Sequence, residues 1–534
     1  MYCGTALWKN KTSSELTKRK LRTGQIIETY PSLPNNLYDA LRNTAEIFPA
    51  KPAIIDHYEH SYTYQDLLDK TDVLASYLYK EINIQKGHHV ALMLYNSVEF
   101  CISFLALSKL GAIAVPLPTK YKKQEVFSLI NQSDVHCIIC DEDFYDWFSA
   151  YENRGIHRIL SLNAESGYGF SSYTSSCQVP PSSIGFLEDD AIIMFTSGTT
   201  SQSKGVVIKN YNILHAILAY KETLQITSND ISMIPIPIYH ITGMVALFGL
   251  FIYCGGTLVL HKYFNAQRVL TDAIKYHVSF LHASPTVFSM LLEEAESFPS
   301  LPDLKSLACG SSNMPKEKLI RIHNWLPHTT FHTVYGLTET TSPATVFPTD
   351  ASTSTYIGSS GLPIPGTCFE IRSDDGLPLS TGEIGEIWIS GSVVLSSYYK
   401  KETSSLKDGW LGTGDLGYFN EDGYLFVVDR KKDMINRGGE KIWCFDVENE
   451  IYQFENVKEA AVVGIPDEVY GEVAAAIIRP VSGKTLNISE LHAFLLTRMA
   501  KYKVPQKILI TDKIPVTPNG KIDKQKIRTL FTQS

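Results

Sequence analysis

The chain reads as an α/β protein. The expected layout is a large N-terminal domain of two parallel-sheet α/β subdomains plus a small β-rich subdomain, followed by a small α+β C-terminal domain. Three observations predict this. Short apolar, partly β-branched runs alternate with helix-length segments over residues 37–185 and again after residue 212, the texture of a largely parallel sheet. From about residue 353 short strands follow closely on turn signals such as Asp374-Asp375-Gly376, Ser380-Thr381-Gly382 and Glu421-Asp422-Gly423. The charged run Arg430-Lys431-Lys432-Asp433 then marks a change back to mixed texture.

At 534 residues the chain exceeds what one core organises. The expected divisions are a tail at 1–30, a main domain at 31–431 and a C-terminal domain at 432–534. Lys9, Lys11, Lys18, Arg19, Lys20 and Arg22 make the first stretch basic, which predicts a frayed, solvated tail. It lacks the basic-then-apolar order of a secretory signal.

In the first α/β run, Asn36 is placed to cap a helix starting at Leu37. Strands are expected over 51–55, 89–94, 112–117 and 135–140, with a helix over 64–80. Residues 161–183, rich in Ser, Gly and Pro, read as a connector. In the second run, helices are expected over 212–224 and 243–253, and strands over 231–238, 257–261 and 278–283. The β-rich part should hold strands at 366–373, 385–391 and 424–429.

Composition bounds the function. A net charge of −8 argues against nucleic acid as a main partner. No apolar run is long enough to span a bilayer; residues 245–260 come nearest, and Tyr253 with Gly255-Gly256 interrupts them. Nine scattered cysteines predict reduced thiols and a cytoplasmic location. Cys137-Ile138-Ile139-Cys140 has CxxC spacing but lies in an apolar strand with no second pair, which predicts core rather than metal.

The chemistry concentrates in polar turns that end apolar strands. Thr196-Ser197-Gly198-Thr199-Thr200-Ser201-Gln202-Ser203-Lys204-Gly205 sits between two such strands. Its hydroxyls, backbone N–H groups and one lysine suit phosphate oxygens, although GxxxxGK[ST] is absent. Tyr335-Gly336-Leu337-Thr338-Glu339 combines a ring, a close-approach glycine, a hydroxyl and a carboxylate able to ligate Mg²⁺. Trp410-Leu411-Gly412-Thr413-Gly414-Asp415 places a carboxylate in a glycine turn, and Asn519-Gly520-Lys521 places a lysine in a turn near the end. Taken singly, each is as readily a solvated turn.

In this order and spacing the set resembles the adenylate-forming superfamily of acyl-CoA synthetases, peptide-synthetase adenylation domains and beetle luciferases, over about residues 37–528. The resemblance implies ATP, Mg²⁺ and CoA as cofactors and co-substrates, and a carboxylic acid as substrate. It assigns Thr196, Ser197, Gly198, Thr199, Thr200 and Lys204 to the phosphates, and Tyr335, Gly336, Thr338, Gly310 and Ser311 to the rest of the nucleotide site. It assigns Glu339 and Thr196 to Mg²⁺, Asp415 to the ribose and Arg430 to ribose or phosphate. Lys521 is implied as the catalytic lysine of adenylation, and Lys432 as the hinge about which a mobile C-terminal domain rotates. Gly438 and Gly439 are implied to line the path of the incoming thiol.

His240, in Pro237-Ile238-Tyr239-His240-Ile241-Thr242-Gly243, matches the family histidine bordering the acyl pocket. Amino-acid-activating relatives carry an aspartate nearby; none lies between Pro235 and Gly243, and a buried unpaired ammonium is costly. Ile241, Val287 and Val334 are the apolar wall candidates, so an aliphatic or aromatic acid is expected. Ser201, Ser203, Asn210, Gly412 and Arg437 depart from the family pattern. The expected activity is an ATP-dependent carboxylic acid–CoA ligase. The alternatives are an acyl- or aryl-adenylating enzyme that loads a carrier protein, a luciferase-like oxygenase, or a non-catalytic nucleotide-binding regulator.

Overall fold

The computed structural model describes residues 1–532 apart from 10, 13, 162–181, 197–202 and 518–520. Most of the connector expected at 161–183 therefore lies outside the described residues. The helix Tyr64–Lys80 forms as the pattern predicts, with Thr63 and Asp66 making a reciprocal capping box at its start. Asn36 caps Leu37–Ile47 by accepting from the Asp39 N–H at 2.9 Å.

Two large sheets follow from the α/β alternation. In the seven-stranded sheet, His89–Met93 lies between Ile113–Pro116 and Val135–Cys140, all parallel. The nine-stranded sheet sets Ile231–Ile234, Phe280–Ala283, Ser306–Cys309 and Thr330–Tyr335 side by side in parallel. The helix Val98–Leu110 has twelve buried residues, which fits a position between layers. The segment expected to be helical at 243–253 is π-helical over Thr242–Gly249 and α-helical over Leu250–Cys254. One hydrophobic cluster takes in Ile54 and Leu281 of the larger sheet, Leu92 and Ile192 of the smaller, and Phe369 and Ile389 of the β-rich sheet.

The β-rich part forms around Thr367–Arg372, Gly385–Gly391 and Trp410–Phe419, paired antiparallel. Beyond residue 434 a separate five-stranded sheet carries its own cores. Along Val457–Asp467 and Gly471–Pro480 successive residues alternate between them: Ala460, Val462, Ala474 and Ala476 face one cluster, Ala461, Val463, Ala475 and Ile477 the other. Among the described residues no helix is long and apolar enough to cross a membrane.

Two expectations are corrected. The first thirty residues are not a frayed tail: Trp8, Leu21, Ile27 and Tyr30 are buried, and Trp8 Nε1 donates to the Pro363 carbonyl at 2.8 Å. The basic residues mislead because Lys18, Arg19 and Lys20 lie together on the outer strand Thr17–Lys20 of a hairpin, while its partner strand Ile26–Thr29 turns Ile27 and Thr29 inward. Nor are all thiols reduced. Strand Tyr2–Cys3 pairs with Thr367–Arg372 so that Cys3 stands opposite Cys368, and the two form a disulfide with a Cα separation of 4.1 Å. Spacing could not show this pairing, because 365 residues separate the two. Cys137 and Cys140 are buried and free.

Candidate active site

The phosphate-loop candidate grows from a hairpin. Asp190–Thr196 and Lys204–Lys209 pair antiparallel with Thr196 opposite Lys204, so both side chains stand at the base of the loop. Ser197, Gly198, Thr199 and Thr200 lie outside the described residues. Strand Ser397–Tyr398 extends this sheet edge beside Val206 and Val207. Tyr398 is a residue the sequence reading missed. Lys204 Nζ lies 5.1 Å from its ring centroid, and its hydroxyl donates to Glu339 Oε1 at 3.2 Å. It therefore ties Lys204 to Glu339. Its only sequence signal is an aromatic pair, Tyr398-Tyr399, just after the β-rich strands.

Tyr335 ends the strand Thr330–Tyr335, and a turn and short 3₁₀ helix, Thr338–Thr340, carry Thr338 and Glu339. Gly336 is obligatory, because a Cβ there would sit 1.6 Å from the Ser342 carbonyl oxygen. Asp415 lies in Trp410–Phe419 opposite Arg430 of Leu425–Arg430. Its carboxylate is 4% exposed, accepts from the Tyr335 hydroxyl at 2.9 Å and pairs with Arg430 Nε at 3.2 Å. Arg430 is held charged mainly by Asp415, while burial and then Asp415 push the Tyr335 phenol well above its ordinary pKa. Gly412 departs from the family pattern for a visible reason: a Cβ there would meet the Trp388 ring at 2.9 Å.

Gly310 and Ser311 follow the strand Ser306–Cys309, with Ser311 at φ 74°. Lys432 sits in the turn where Asp433 N–H and Met434 N–H both return to the Arg430 carbonyl. That turn joins Leu425–Arg430 of the β-rich sheet to Ile435–Arg437 of the C-terminal sheet. Desolvation lowers the Lys432 pKa.

Lys521 comes from the C-terminal sequence and enters the same cleft. The residue as a whole remains exposed. The cleft walls still desolvate its ammonium, and the charges of Arg430, Asp415, Glu339 and Lys432 all act on it, for a net downward shift. His240 lies on the other side. Its Nε2 is buried without a partner, and burial, reinforced by Lys521 and Lys120, lowers its pKa to about 3, so the ring is neutral. Asn96, also missed from sequence, holds the approach to His240: its amide donates to the Ile236 carbonyl and its oxygen accepts from Ile238 N–H, at 2.8 and 2.7 Å.

Gly438 and Gly439 are not brought to this cluster. They form the tip of the hairpin Ile435–Arg437/Glu440–Ile442, where Gly438 N–H donates to the Tyr470 carbonyl at 2.8 Å and Arg437 stacks on the Tyr470 ring.

A phenol and an arginine on one buried aspartate, and a lysine at a loop base whose tyrosine neighbour donates to a carboxylate, form a nucleotide-type cleft. The model of the AMP-binding enzyme family matches residues 41–399, and that of its C-terminal domain matches residues 446–521. The chain belongs to the AMP-binding enzyme family. A 2-succinylbenzoate–CoA ligase of Bacillus licheniformis is 32% identical over 91% of this chain and 98% of its own length. A feruloyl-CoA synthase of an Amycolatopsis species is 30% identical over 89% and 95%. The o-succinylbenzoate CoA synthetase of Bacillus subtilis, solved with its acyl-adenylate intermediate, superposes with a TM-score of 0.82 at 27% identity, over 93% of this chain and 98% of that one. The family membership accounts for the joined α/β and β-rich parts and for the separate C-terminal sheet.

Proposed function

We propose that the chain is an ATP-dependent carboxylic acid–CoA ligase that works through an acyl-adenylate. One observation above all supports this. Lys521 of the C-terminal sequence shares a cleft with Glu339, Asp415, Arg430 and His240 of the main domain, the arrangement needed to form the adenylate. The similarity to CoA ligases along almost the whole chain supports the choice of acceptor.

In the first half-reaction a substrate carboxylate oxygen attacks the α-phosphorus of ATP. The bond to the β-phosphate oxygen breaks, and pyrophosphate leaves with that electron pair. Asp415 accepts from the ribose hydroxyls and is held in position by Arg430 and Tyr335. Lys204 contributes charge to the β- and γ-phosphates, and Lys521 bridges the carboxylate and the α-phosphate. Preorganised cations are the main source of acceleration in such transfers. The donor set suits a magnesium ion: Glu339 has one oxygen engaged by Tyr398, and the Thr196 hydroxyl stands at the loop base. Held there, the ion would neutralise phosphate charge.

In the second half-reaction a thiol sulfur, having lost its proton, attacks the acyl carbon, and AMP leaves with the bonding electrons. Among the described residues, the contacts of Gly438 and Gly439 are with Tyr470 and Asn436 and not with the cleft residues. We therefore place thioester formation in a second orientation, reached by rotation at Lys432 that withdraws Lys521 and brings the glycine hairpin in. Neutral His240 and the wall of Ile241, Val287 and Val334, each buried, border the acyl group.

The test is AMP and pyrophosphate release with aliphatic, aryl and dicarboxylic acids, each with and without CoA. CoA-dependent AMP release is expected. Pyrophosphate release that CoA does not accelerate would transfer the acceptor role to a carrier-protein thiol, and no release with any acid would overturn the ligase reading.

A further inference from the structure

Among the described residues, His282 is the one deeply buried histidine for which neither ring nitrogen finds a partner while the side chain also adjoins the cleft. It is 1% exposed, and both Nδ1 and Nε2 are without a hydrogen bond. His57 also leaves both ring nitrogens unpaired, but it is only partly buried; the other fully buried histidines each have at least one partner. His215 has the Thr29 hydroxyl at 3.0 Å and the Pro365 carbonyl at 2.9 Å, and His332 Nδ1 has the Phe347 carbonyl at 2.7 Å. A buried donor or acceptor left without a partner is costly, so a protein seldom keeps two on one ring without a use for them.

Position supplies the use. His282 is next to last in Phe280–Ala283, whose neighbour Ser306–Cys309 runs parallel with Ala283 opposite Cys309. Both strands thus deliver their carboxyl ends, with Gly310 and Tyr335, to the edge where open α/β sheets bind ligands. Gly310 lies directly before the ring: a Cβ there would stand 3.5 Å from His282 Nε2 and 3.7 Å from Val334 Cβ. With hydrogen in that place, the ring edge meets no side chain from Gly310, next to the apolar wall residue Val334. On the other side Tyr220 packs edge-on at 5.7 Å, its hydroxyl already engaged with Ser342 Oγ at 2.9 Å. His282 is therefore the unpaired polar group of a largely apolar enclosure.

We propose that His282 is a specificity-determining residue that reads a hydroxyl or carbonyl carried by the acyl group away from its reacting carboxylate. This rests on the ligase reading above. A neutral imidazole offers one N–H donor and one lone pair, which a hydroxyl matches in both roles. Burial keeps the ring neutral by lowering its pKa to about 3, which disfavours a second carboxylate as the group read.

The test compares matched acids on the full chain: 3-(4-hydroxyphenyl)propionate against 3-phenylpropionate, and an ω-hydroxyalkanoate against the alkanoate of equal length. The kcat/KM for AMP release should favour the hydroxylated member of at least one pair in the unaltered protein. In His282→Phe that ratio should fall by about 10–100-fold, the equivalent of leaving a polar group unpaired, with KM for ATP unchanged. His282→Gln, which keeps a donor and an acceptor, should retain part of the preference. A ratio near one for both pairs in the unaltered protein overturns the proposal even if the variants fail to fold. So does a His282→Phe that slows both members equally. In either case AMP release itself leaves the ligase reading standing; no release with any acid removes both.

Discussion

The Tyr335 hydroxyl donates to Asp415 Oδ2 at 2.9 Å, joining the end of a strand in the nine-stranded sheet to a strand of the β-rich sheet. Two motifs 80 residues apart are thus one recognition unit. Tyr335→Phe removes a hydrogen bond to a charged acceptor, which should raise KM for ATP about 10-fold with little change in KM for the acid. Asp415→Asn should cost more, because it also leaves Arg430 without its ion-pair partner. Initial-rate titrations of both substrates check this; equal rises in the two KM values would refute it.

Lys521 shares the cleft in this arrangement but is assigned no part in thioester formation. Lys521→Ala should lower adenylate formation by at least about 100-fold, the scale of one lost preorganised contact to developing charge. Conversion of supplied acyl-adenylate and CoA to thioester should stay within a few-fold of the unaltered rate. Single-turnover assays of each half-reaction decide the point, and equal loss in both would sink the division of labour.

The Cys3–Cys368 bridge closes nearly the whole main domain into a loop and pins the first strand to its sheet. Cys3→Ser should destabilise the domain by about 2–4 kcal/mol under non-reducing conditions and expose the region before Thr17 to proteases. Denaturant melts with and without a reductant measure this. Identical midpoints for the oxidised protein and the variant would show that strand pairing alone suffices.

Acid should weaken the fold. His215 has its pKa lowered to about 4 by burial, and His240 and His282 to about 3. In the unfolded chain the same rings titrate near 6.5, so below that value the unfolded state binds more protons. Stability is therefore full above about pH 6.5 and falls as pH drops toward 4, by up to about 1.4 kcal/mol per pH unit for each ring. His282→Phe should remove one proton's worth of that slope in urea melts between pH 7 and 5; an unchanged slope would contradict the burial of this ring.

Much of this was legible in the chain itself. Helix Tyr64–Lys80 and strands Val135–Cys140 and Gly385–Gly391 form where periodicity and turn residues put them, because short-range preferences and burial agree there. The polar turns at Tyr335, Asp415 and Lys521 stood out because they interrupt apolar, strand-like runs with hydroxyls, glycines and single charges. Other features were not legible because they depend on which distant segments meet. Tyr398 matters only through strand pairing beside Val206, and Asn96 only through the carbonyls of Ile234 and Ile236 that it reaches.

By itself, then, the sequence determined the alternation of elements, the polar turns that carry the chemistry and the boundary texture near Lys432. Only the tertiary structure decided that the N-terminal segment is a packed strand and hairpin, that Cys3 meets Cys368, and that His282 is buried with nothing to bind. The reason is physical. Local preference acts over a few residues, whereas pairing, burial and the satisfaction of a ring nitrogen depend on neighbours brought in from hundreds of residues away.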